Sequence, residues 1–267
     1  MAAVVRDPAG RVVAGLRADD FVVVDGGVRR SILSFSEDAS AAVSLAVLVD
    51  ESGSMRAHAG AVRLMVATML DEVDASAAPA DAVALVGFDS DLREIQPFTT
   101  DLARVRGALD RVDAFGATAV HDAIAETARR LVPRRGRRAV VVVSDGVDTR
   151  SRFTLAEASG IASAIDVPVY IVLVGDRGAR RLREASGPLE DLARWAGGEA
   201  FDAAAPDAAR TAARRIVSDV RHQYLIAFES APEPGWRLLE IHTRQPGLVV
   251  RARSAYVAGR DGLRTAR

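Results

Sequence analysis

The sequence predicts an α/β fold: a doubly wound, mostly parallel sheet with helices on both faces, plus a small β domain built from both chain ends. Three observations carry this reading. Valine-rich runs at residues 43–49, 83–88, 139–143 and 169–174 do not alternate with polar residues, which is how strands buried on both faces read. Helical spacing fills the stretches between them. Short β patterns, separated by Gly and Pro turns, stand at both ends.

Taken in order, residues 1–7 are strand-like from the first position. Phe21-Val-Val-Val, then Asp25-Gly-Gly, then residues 28–35 form a hairpin pattern, because Asp-Gly accepts the positive φ angles of a tight turn. Val62, Met65, Val66, Met69 and Val73 fall on one helical face. Residues 102–112, 120–131, 155–165 and 189–196 behave similarly, and residues 207–220 are a last helix announced by Pro206 and Asp207. Residues 224–228, 236–243 and 248–256 return to strand character, parted by Pro232-Glu-Pro-Gly and Gln245-Pro-Gly turns. A few strands need partners to bury an apolar face. Residues 1–38 and 222–257 are therefore expected to pair into the small β domain beside an α/β domain of residues 39–221, with residues 258–267 a loose tail.

Composition narrows the function. Hydrophobic residues make up 49% and charged residues 27% of 267 positions, enough to bury a core. The formal net charge of −1 creates no global attraction to nucleic acid or an anionic membrane. Cysteine is absent, which removes disulfides and thiolate metal sites. Lysine and asparagine are absent too, a pattern of GC-rich coding, and without asparagine there is no N-glycosylation. No apolar run reaches the roughly 18 residues of a membrane span.

The chemistry gathers in three strings. In Val47-Leu-Val-Asp50-Glu-Ser52-Gly-Ser54-Met55 a buried strand ends in an aspartate, followed by two hydroxyls with a glycine between them. In extended backbone Ser52 and Ser54 point the same way, and Gly53 lets both turn toward one point. A helix start adds free backbone N–H groups. In Val141-Val-Val-Ser144-Asp145-Gly146 a second buried strand ends in an aspartate. Ligands of open α/β sheets collect outside such strand ends where strand order reverses. Phe115-Gly-Ala-Thr118 is a loop leading into a helix and offers one more hydroxyl. Two carboxylates and three hydroxyls form a hard-oxygen set suited to Mg²⁺, with Mn²⁺ or Ca²⁺ as alternatives. Two carboxylates only balance a divalent cation, so a partner's carboxylate is the natural further ligand.

Asp-x-Ser-x-Ser, a Gly-x-Thr loop and Ser-Asp-Gly after a buried strand resemble the metal-ion-dependent adhesion site of von Willebrand factor A (vWA) domains, which have a Rossmann-like fold. The resemblance spans roughly residues 42–220. It implies that Asp50, Ser52, Ser54, Thr118 and Asp145 hold one ion, the hydroxyls touching it and the aspartates often acting through water. It also implies that the strands ending in Asp50 and Asp145 are neighbours. The flanks, from Val4-Val-Arg-Asp-Pro-Ala-Gly-Arg to Val24-Asp-Gly-Gly and again from Gln223-Tyr-Leu-Ile-Ala-Phe to Val250-Arg-Ala-Arg-Ser-Ala-Tyr, resemble bacterial VWFA-related proteins. Members of that group usually begin with an export signal. Met1 is therefore expected to be an internal start of an exported protein; otherwise a cytoplasmic location is expected.

Glu51 is expected to be solvated at the rim. Asp122 is expected to support the Thr118 loop or its helix, and His121 to be a structural or helix-surface histidine. The arginines from Arg134 to Arg138 read as a solvated turn, since aromatic interleaving for nucleic acid is missing. Asp50-Glu-Ser lacks the second acid of an aspartyl phosphatase, Ser54 has no nucleophile elbow, and His121 is a poor general base for a metal hydrolase. The expectation is a non-catalytic, metal-dependent protein-binding module that captures an acidic partner residue, with no nucleic-acid partner and no membrane span. The alternative is an accessory subunit of an ATP-driven chelatase- or MoxR-type machine.

Overall fold

The computed structural model describes residues 1–258 except 77, 79, 115 and 176–179. In chain order, β1 (Ala2–Arg6), β2 (Phe21–Asp25), β3 (Val28–Arg30) and β4 (Ile32–Ser36) precede β5 (Val43–Asp50). There follow α1 (Ala59–Ala75), β6 (Ala82–Phe88), β7 (Leu92–Thr99), α2 (Leu102–Ala108), α3 (Val120–Arg130), β8 (Arg137–Ser144), α4 (Leu155–Ile165) and β9 (Val169–Leu173). Then come α5 (Arg180–Trp195), β10 (Ala200–Asp202), α6 (Pro206–Arg221), β11 (Tyr224–Phe228), β12 (Gly235–Thr243), β13 (Val249–Ala252) and β14 (Ala255–Ala258). The expected loose tail, beyond Ala258, lies outside the described residues.

The central sheet has the order β10-β9-β8-β5-β6-β7. All its neighbours are parallel except β6 and β7. The valine runs explain its burial. Val43, Leu45, Val47 and Val49 of β5 enter one core with α1, α2 and α6. Ala46 and Leu48 of the same strand enter the other core with α3, α4 and α5. β5 thus feeds two apolar layers, and its one polar residue before Asp50, Ser44, is buried with its hydroxyl accepting Arg134 Nε at 3.1 Å. Val62, Met65, Val66, Met69 and Val73 form the buried face of α1 as their spacing requires.

Two elements escape the valine signal. β7 reads Leu-Arg-Glu-Ile-Gln-Pro-Phe-Thr and is an antiparallel edge strand. Its mixed polarity and internal proline are compatible with an edge and not with a central strand. β10 has only three residues. The helix expected over residues 189–196 is the end of the longer α5, which accommodates Pro188.

Both chain ends build the β domain. One sheet has the order β13-β1-β11-β4 and the other β14-β12-β2-β3. Gly26 and Gly27 both take positive φ (57° and 81°), the conformation the β2–β3 hairpin turn needs. The strand expected over residues 248–256 instead divides into β13 and β14, which lie in different sheets. The chain changes sheets there at Arg253-Ser254, and again at Ser31 between β3 and β4, as corner strands do. The core between the sheets holds Phe21, Phe35 and Tyr224, their rings 5.2–5.5 Å apart.

Arginines join the two parts: the turn at residues 135–136 is exposed as expected, but the solvated reading is corrected at Arg137 and Arg138, which begin β8, and at the half-buried Arg134. Arg137 is 1% exposed. Its guanidinium donates to Asp38 O and, at 3.0 Å, to Gln223 O, so one side chain ties down both connections between the domains. Arg138 caps Ile165 O at 3.0 Å, and Arg134 stacks over Phe98 at 4.6 Å. Backbone carbonyls partner Arg137 and Arg138, while Arg134 rests on the Phe98 ring and donates to Ser44 Oγ at 3.1 Å. Asp219 of α6 pairs with Arg6 of β1 and Arg251 of β13.

Backbone crowding gives a first test. A Cβ on Gly198, just before β10, would lie 1.9 Å from Val169 O. Gly198→Ala is expected to destabilise the protein by about 3 kcal/mol, since backbone cannot yield as a side chain does. Urea unfolding checks this; an unchanged midpoint would contradict the packing described.

Candidate functional site

Parallel pairing of β5 with β8 puts Val49 opposite Val143, so the strand ends carrying Asp50 and Asp145 are neighbours. This is the point where strand order reverses, since the chain runs from β5 to β6 on one side and β8 lies on the other. Asp50 and Ser52 are 1% and 3% exposed. Asp50 Oδ1 accepts the Ser52 backbone N–H at 2.8 Å, which folds the chain back at the strand end. Ser52 Oγ then lies 3.1 Å from Ser54 Oγ. The expected extended alternation is corrected here: Ser52 is the extended residue before a 3-10 turn, Gly53–His58, and that turn brings Ser54 back beside Ser52, while Gly53 keeps a negative φ with open space at its Cβ position.

The third string arrives by backbone. Gly53 N donates to Gly116 O at 3.4 Å, two residues before Thr118. Gly116 has φ of +96°, and a Cβ there would sit 2.9 Å from Asp89 Oδ2. Thr118 is buried. Its N–H donates to Thr149 Oγ1 at 3.0 Å, and its carbonyl accepts from Thr149 N and Arg150 N at 2.9 Å each. The loop after β8 therefore holds the Thr118 loop in place. Asp145 Oδ1 accepts Val147 N at 3.2 Å. Direct contacts thus join Asp50, Ser52 and Ser54, charge couples Asp145 to Asp50, and loop backbone carries Thr118 to the serines' side.

Ser144 was not among the site residues expected. Its hydroxyl donates to Asp50 Oδ2 at 2.5 Å and accepts Gly146 N at 3.0 Å. The signal was present in Ser144-Asp145-Gly146, because the last residue of one strand lies beside the last residue of its neighbour. Glu51 is a correction. It is 6% exposed, pairs with Arg93 and accepts Asp113 N at 3.0 Å. Gly87 opens the space for it: a Cβ there would be 2.0 Å from the Glu51 carboxylate. Asp122 accepts Arg152 N at 2.9 Å and Phe153 N at 2.8 Å, so it anchors the loop after β8 to α3. His121 Nδ1 lies 3.2 Å from Phe153 O in the same contact, away from the serines' hydrogen bonds.

Burial pushes the Asp50 carboxyl up to about 6; hydrogen bonds from Ser144 and Ser52 oppose the shift, and the Asp145 charge adds to it. Among the described residues no ion pair neutralises Asp50 or Asp145. No group of three His, Asp or Glu side chains able to hold a metal occurs among them either. A cation here would rest on two carboxylates supplemented by hydroxyls, and that donor set, hard oxygen with charge left uncompensated, fits Mg²⁺, Mn²⁺ or Ca²⁺.

The shift has a stability consequence in metal-free protein. The folded value lies above the ordinary aspartate value of 3.8, so the contribution of Asp50 is fully present below about pH 3.8 and lost as pH rises through about 6. Above that range ionisation costs roughly 3 kcal/mol. Asp50→Asn is therefore expected to melt higher than the parent at pH 8 without metal, the gap closing by pH 4. Melting curves across this range check it, and a gap independent of pH would contradict the burial of this carboxylate.

Residues 45–147 match the family model for the von Willebrand factor type A domain. No curated protein matches the sequence. Among solved structures, a mutant PilB minor pilin from Streptococcus sanguinis aligns with 13% identity and a TM-score of 0.56, over 68% of this chain and 62% of that one. This chain thus spans less than two thirds of that pilin chain. BatB from Bacteroides thetaiotaomicron aligns with 21% identity and a TM-score of 0.53, over 65% of this chain and 97% of its own. A von Willebrand factor type A protein from Catenulispora acidiphila aligns with 14% identity and a TM-score of 0.53, over 91% of this chain and 75% of its own. The α/β part of this chain has the von Willebrand factor type A fold, and its family match runs from within β5 to the loop after β8.

Proposed function

We propose that the protein is a non-catalytic binding module that captures an acidic side chain of a partner protein through one divalent cation, Mg²⁺ in preference to Mn²⁺ or Ca²⁺. Asp50, Ser52, Ser54, Thr118 and Asp145 would hold the ion. The observation that carries this reading is the buried Asp50 beside Asp145, hydrogen-bonded but with no ion pair among the described residues, and the two serine hydroxyls in contact at the same strand end. Two carboxylates leave a divalent ion electrophilic, and a charge-assisted contact to an incoming carboxylate is strong and directional. The chain's own part is to fix those oxygens: Ser144 orients Asp50, and the Thr149 contacts hold the Thr118 loop. The von Willebrand factor type A match supports an interaction role. Among the described residues no helix is long and apolar enough to cross a membrane.

Calorimetric titration of Mg²⁺, Mn²⁺ and Ca²⁺ into metal-free protein tests the ion. One saturable site is expected, its affinity falling about tenfold per pH unit below pH 6, because binding must displace the proton of Asp50. Absence of heat from all three cations would overturn the reading.

A further inference from the structure

Next to the proposed ion site lies a cavity of about 120 Å³ whose wall includes Asp50 itself. Its floor is apolar: Met55, Val62 and Leu109 are 2%, 4% and 7% exposed. Its mouth lies between exposed Arg56 in the 3-10 turn before α1, exposed Ala59 at the start of α1, and the 112–114 segment that follows α2. Arg56 Nη2 donates to Ala114 O at 3.2 Å and so braces that segment against α1.

We propose that this cavity is the side-chain subsite of the captured partner, receiving one branched aliphatic residue adjacent in sequence to the acidic residue that reaches the ion. The inference rests on the proposed metal-dependent capture and adds what the partner must look like. Size selects the occupant. A dry cavity of about 150 Å³ holds a six-carbon ring, so one of about 120 Å³ suits the four carbons of leucine or isoleucine. Chemistry selects it too. Arg56, Arg63 and Asp113 also line the cavity beside Asp50, but the floor of Met55, Val62 and Leu109 carries no hydrogen-bonding side chain, so a polar group resting on it would lose its water without a partner there, whereas an aliphatic group gains by leaving water. Position completes the case, because a shared wall at Asp50 places the aliphatic group and the carboxylate within one short peptide segment.

The test uses capped peptides Gly-Asp-Gly, Leu-Asp-Gly and Gly-Asp-Leu, titrated into the full chain with saturating Mg²⁺ and again with chelator, followed by NMR. One of the leucine peptides is expected to bind about tenfold or more tighter than Gly-Asp-Gly. Ala59→Leu fills the cavity from an exposed position and should erase that preference. Val112→Phe fills it from the opposite wall and serves if the first variant does not fold. Leucine and glycine peptides binding alike, or a preference that survives both fillings, would sink the subsite while leaving ion capture standing. Loss of the Mg²⁺ heat itself, or no chelator-sensitive binding by any of the three peptides, would remove capture and the subsite together.

Discussion

In Asp50→Ala protein, Mg²⁺ affinity is expected to fall by about 100-fold or more, while the fold is kept. The variant removes one of two carboxylates from a set whose other donors are neutral hydroxyls, so half the charge compensation goes at once. The same change should relieve the protein. Asp50 is 1% exposed and its ionisation is opposed by burial and by Asp145. Deleting it removes a buried charge that only a cation would balance. Loss of affinity combined with retained or improved melting temperature is the signature of a residue kept for binding at the expense of stability. Titration calorimetry and melting curves on the same preparation read both quantities. Undiminished heat in the variant would show that the ion, if bound, sits elsewhere.

Asp219→Ala is expected to do the reverse: leave ion binding near the parent value and destabilise the protein by about 3–5 kcal/mol, lowering the melting temperature by roughly 10 °C. The Asp219 side chain is fully buried and faces two arginines, Arg6 and Arg251, that are 12% and 18% exposed. Removing the carboxylate leaves both guanidinium groups desolvated, with Glu199 the remaining acidic partner of Arg251. Desolvation without compensation, not the loss of an attraction, sets the size of the effect. Glu72→Ala is the matched control. Its partner Arg214 is 63% exposed, so the pair is screened by water and should contribute under about 1 kcal/mol. Equal effects from the two substitutions would contradict the burial seen at Asp219.

The central sheet was legible because parallel strands covered on both faces are apolar through their middles, with polar residues confined to their ends, such as Ser44, Arg137 and Ser144. β7 was not, because an edge strand needs only one apolar residue in two or three, and Leu92-Arg-Glu-Ile-Gln-Pro carries that little. At the site, Asp50, Ser52 and Ser54 were legible because they are close in sequence, although a 3-10 turn and not extended alternation brings the two hydroxyls together. Glu51 was misread because its burial depends on Arg93, 42 residues away, and on the missing side chain of Gly87. Arg137 was misread for the same reason: a run of arginines looks solvated until two carbonyls from distant connections close over one of them. Local spacing carries proximity along the chain, whereas burial of a charge is decided by partners that only the folded chain brings close.

The α/β domain leaves the β domain after β4 and returns at β11, and these two strands pair with each other, Ser36 opposite Leu225. Mechanically, that ladder is a clasp across the base of an inserted unit. Tension applied through β1 and β14 would first load the β1–β13 and β12–β14 ladders. The loops around Asp50 would remain slack until the clasp between β4 and β11 opened, so the proposed ion site would outlast the outer strands in a pulled molecule.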